Sequence, residues 1–121
     1  MLVTTRRIAA AKPQVIEGYL KALIEAIAVT LDPANKEVVL RLLASNLRLT
    51  NAADAEESYQ AVINSYERVP HVTVEGMKRL HKLMTQINSK IADVRVENAV
   101  DNSFMNKLEA AGFIQSVYKK N

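Results

Sequence analysis

Cysteine and tryptophan are absent from this chain, and only three glycines and three prolines punctuate its 121 residues. Without cysteine there are no disulfides, no thiolate chemistry and none of the commoner structural zinc sites. That absence suits the cytoplasm and a bacterial periplasm equally. Aromatic residues make up 5%, too few for a β-sandwich core or a base-stacking nucleic-acid surface. The glycines at positions 18, 76 and 112 are scattered, so no Gly-rich phosphate loop is read, and no serine sits in a nucleophile elbow. Long apolar runs are missing as well. The longest, residues 22–31, contains Glu25 and is too short to span a bilayer. Arg6 and Arg7 precede a brief apolar stretch that Lys12 and Pro13 interrupt, so no signal peptide is read at the start. The expectation is a chain without membrane insertion, cytoplasmic if made as it stands.

What is present is an ordinary globular mixture, 49% hydrophobic and 24% charged. Alanine, leucine, valine and isoleucine carry the apolar content, which favours helix. Sixteen basic residues face thirteen acidic ones, for a net charge of +3. The doublets Arg6-Arg7 and Lys119-Lys120 lie at opposite ends and read as solvated termini. No basic face is gathered for phosphate contact, so no nucleic-acid partner is expected.

The apolar spacing is helical throughout. Thr5 is placed to cap a brief helix that ends before Pro13. Pro13 opens the next, where Val15, Ile16, Tyr19, Leu20, Leu23, Ile24, Ile27 and Leu31 form a broad stripe. Glu17 and Lys21 are spaced for an ion pair on the opposite side. Asp32-Pro33 ends that helix and starts a third over about 33–46, with Val38, Val39, Leu42, Leu43 and Leu47 as its buried side. A fourth, beginning near Ala53, carries Tyr59, Val62, Ile63 and Tyr66 and stops by Val69-Pro70. Thr73 caps a fifth, in which Met77, Leu80, Met84 and Ile87 recur at spacings of three, four and three. Residues 89–96 give no clear signal. A last helix over about 102–111 buries Phe104 and Leu108, and Gly112 closes it, with Phe113, Ile114, Val117 and Tyr118 trailing as a packed tail or a second short helix. The expected fold is all-α, a single compact domain of five to six helices over residues 1–121, with room for one short strand at residues 2–5.

Candidate chemistry is sparse. His71 and His81 are the only histidines, too far apart for a one-turn metal pair. Asp93, Glu97 and Asp101 recur every four residues as an acidic edge, without histidine or cysteine to complete a ligand set. Tyr19, Tyr59 and Tyr66 suggest an aromatic box for a cationic or sulfonate ligand, but each is in register with aliphatic residues and reads as packing. No catalytic constellation, metal site or cofactor is expected, and no enzyme.

The order of several segments carries a resemblance. Residues 3–8, the Pro-initiated helix from Lys12 through Ala26, residues 54–66, and Val72-Thr73-Val74-Glu75-Gly76-Met77 fall in the sequence found in one family. Residues 96–108, with Asp101-Asn102-Ser103-Phe104, Leu108 and Gly112-Phe113, resemble its closing helix. The family is the solute-binding proteins of the nitrate, sulfonate, taurine and thiamine-precursor ABC importers. The resemblance implies the C-terminal portion of a bilobal periplasmic protein that delivers a small solute to a permease. Most of that family's ligand contacts come from parts with no counterpart here, so no ligand residue is carried over. Thr4, Thr5 and Arg6 lie nearest the implied hinge. The expected function is a helical fragment or stand-alone derivative of such a protein, without a complete ligand site. The alternative is a small interaction module that self-associates. A homodimer is expected on either view, because the stripe on the second helix is broader than a small bundle requires.

Overall fold

The computed structural model describes residues 2–119. The Thr5 hydroxyl accepts the Ile8 amide at 3.2 Å and opens α1 (Arg6–Ala11). Pro13 occupies the first turn of α2 (Pro13–Leu31), where its missing N–H costs nothing. The Asp32 carboxylate accepts the Ala34 amide at 2.9 Å and starts a 3-10 turn, Pro33–Asn35, that leads into α3 (Lys36–Leu47). Arg48 ends α3 at φ 56, in the left-handed region that glycine usually occupies. Asn51 caps α4 (Ala52–Ser65) and Thr73 caps α5 (Val74–Ile87). Two 3-10 turns, Ser89–Ile91 and Val96–Ala99, cross to α6 (Ser103–Ala110). Gly112, at φ 73, turns the chain into α7 (Phe113–Lys119).

The described residues are therefore all-α, with seven helices among them rather than five or six, because the stretch after Gly112 is a helix in its own right. Residues 2–5 hold no regular structure, and no strand occurs among the described residues. A lone β-prone segment has no neighbour to take its backbone hydrogen bonds, so propensity alone does not make it a strand. Helix α4 stops at Ser65, short of Val69-Pro70. Lys120, the second half of the C-terminal doublet, lies outside the described residues.

The main core joins α2 to the C-terminal helices. Ile16, Leu20 and Ile24 of α2 meet Met105 and Leu108 of α6 and Ile114 of α7, with Leu2, Val69, Phe104 and Phe113 packed around them. Ile16, Leu20, Ile24 and Ile27 of the α2 stripe thus find cover within the same chain, while Val15 and Tyr19 on its edge stay exposed. Glu17 pairs with Lys107 of α6 rather than with Lys21, whose ammonium lies 5.3 Å over the Phe113 ring. Both contacts tie α2 to the C-terminal helices.

Helices α3 and α4 pack on each other as a hairpin around Val39, Ala55 and Tyr59. Of the side of α3 expected to be buried, only Val39 is; Leu42 and Leu47 remain 57% and 55% exposed. A helix with one main neighbour hides a narrower strip than its sequence offers. The connection from Ser65 to Thr73 is held more firmly. The Asn102 amide donates to the Val72 carbonyl at 2.8 Å and accepts the Val72 N–H at 3.0 Å. The Tyr118 hydroxyl donates to the Arg68 carbonyl at 2.9 Å.

The chain exposes 8983 Å², whereas a folded monomer of 13.5 kDa is expected to expose about 6,500 Å². Part of the exposed surface is apolar, with large side chains on α1, α2, α3 and α5.

Candidate functional site

An open groove of about 1490 Å³ lies between residues 2–6, α2 and the segment around 93–105. It brings together residues that sequence reasoning singled out separately. Thr4, Thr5 and Arg6 line one wall, and Asp93, Glu97 and Asp101 line another. Most of these polar groups are already committed. Thr5 caps α1, and Arg6 donates to the Asn98 carbonyl at 2.9 Å. Glu97 pairs with Lys78 at 2.7 Å, which holds its carboxyl below the usual range and raises the Lys78 ammonium. Asp101 bonds Ser103, which also lowers its pKa, and Asn102 is spent on Val72. A small-molecule site needs polar groups converging on the ligand, and here Thr5, Arg6, Glu97, Asp101 and Asn102 are turned to the protein's own backbone and side chains.

The histidines serve local structure. His81 Nε2 lies 2.7 Å from the Ile91 carbonyl and joins α5 to the turn that follows. His71 Nε2 lies 3.4 Å from Glu109. Among the described residues no three His, Cys, Asp or Glu side chains are grouped to hold a metal ion. The tyrosines part company. Tyr59 is buried under the Lys36 ammonium, which pairs with Glu56, while Tyr19 and Tyr66 are 58% and 47% exposed. The packing reading holds for Tyr59 alone.

The feature that sequence spacing announced without placing is α5. At about 100° per residue, Met77, Leu80, Leu83, Met84 and Ile87 share an arc of about 120° that holds no charged side chain. Lys78 and His81, on the other flank, reach back to Glu97 and Ile91. The helix is therefore tethered by its polar side; Met77, at the edge of the arc, is half-buried and lines the groove, and the remainder of the apolar side faces away. Leu80, Leu83, Met84 and Ile87 are 40%, 58%, 41% and 77% exposed, and α5 has no buried residue. The amphipathic pattern was legible in the sequence. That its polar side would be the inner one was not, because this follows from the 3-10 turns of residues 89–99, whose buried Val96 had no periodic signal.

No protein-family model matches the chain, and neither a curated protein nor a solved structure shows significant similarity to it.

Proposed function

We propose that this chain is a helical docking module, which acts by packing the apolar face of α5 against another polypeptide, and neither catalyses a reaction nor retains a small solute by itself. The observation that carries this reading is the outward stripe of Leu80, Leu83, Met84 and Ile87. Contiguous apolar patches of a few hundred Å² mark interaction sites on soluble proteins. Burying these four side chains, each about half exposed, is worth roughly 3–6 kcal/mol per chain. The resemblance to the C-terminal portion of importer solute-binding proteins agrees with this reading, since a helical layer there has another layer to cover. On that view the covering surface belongs to the rest of the lobe or to the permease.

Two measurements test the proposal. A photo-crosslinker placed at Ile87 should form adducts with a polypeptide in its native cell, while one at Gln60, an exposed polar position on α4, should not. Equal labelling from both positions, or labelling of lipid alone, would defeat the docking role. Calorimetry with nitrate, taurine, an alkyl sulfonate and a pyrimidine should show no binding below millimolar concentration. A micromolar Kd for any of them would shift the function to the groove.

A further inference from the structure

We draw no further inference here: the strongest candidate, the outward apolar patch of Leu80, Leu83, Met84 and Ile87 on α5, already carries the docking role proposed above, and nothing in the structure shows what covers it.

Discussion

Individual side chains in this protein do more joining than their exposure suggests. Asn102 is half-buried and uses both ends of its amide on the backbone of Val72, thirty residues away. Asn102→Ala would strand both groups, and the expected loss is about 1–3 kcal/mol in a urea titration. Asn102→Asp should not recover it, because a carboxylate oxygen in place of the amide N–H would face the Val72 carbonyl acceptor to acceptor. The acidic groups give a pH signature. Lys36 and then Gln60 hold Glu56 low, Lys78 holds Glu97 low, and Ser103 holds Asp101 low. A carboxylate whose pKa is depressed by folding stabilises the fold above its unfolded pKa and loses that contribution as pH falls through the folded value. The melting temperature should therefore decline below about pH 4, and Asp101→Asn should make the decline shallower. Lys36 and Lys78 are raised above 10.5 by the same partners. Their contribution is complete below 10.5 and is lost as pH rises through the folded values, so a second decline is expected in strong alkali. These pairs are exposed and screened by water, so both effects should be small and should shrink in salt.

At the scale of the element, α2 is the helix on which the others depend. Ile24 has no exposed surface, and its stripe meets both α6 and α7. Ile24→Ala should cost about 2–5 kcal/mol, read as a fall in the denaturation midpoint, whereas Leu83→Ala on α5 should cost well under 1 kcal/mol. The contrast checks which apolar stripe is structural and which is surface. The sequence offered both in similar form. Leu20, Ile24 and Ile27 repeat like Leu80, Met84 and Ile87, and periodicity names a face without naming what covers it. The same ambiguity applies to α3, where Val39 is covered by α4 and Leu42 is not. Caps were more legible. Thr5, Asp32 and Thr73 each accept the amide that their position in the sequence implies, because a cap needs only its own turn.

For the whole molecule, the arrangement of contacts implies uneven stability. The α2, α6 and α7 core is tied through buried side chains, while α5 rests on the two 3-10 turns and the α3–α4 hairpin joins the rest chiefly through the turn at Pro33–Asn35. Native-state hydrogen exchange should show the slowest amides around Ile24 and Ile27 and the fastest helical amides in α5.

Composition and spacing by themselves determined the class of this protein. A chain poor in glycine, without cysteine, and with apolar residues recurring every three or four positions has helices as its low-energy local structure, and the caps and prolines mark where each begins. The absence of a strand at residues 2–5 lay beyond them, since a strand needs a neighbour at long range. So did the cover for α2, the pinning of the 66–73 connection by Asn102 and Tyr118, and the gathering of Arg6 with Asp93, Glu97 and Asp101 around one groove. Only the tertiary structure decided which amphipathic helix turned inward. A local pattern fixes how a helix divides its polar and apolar sides. Which side meets the protein depends on where the rest of the chain sits, and for α5 the chain sits on the polar side, leaving Leu80, Leu83, Met84 and Ile87 exposed.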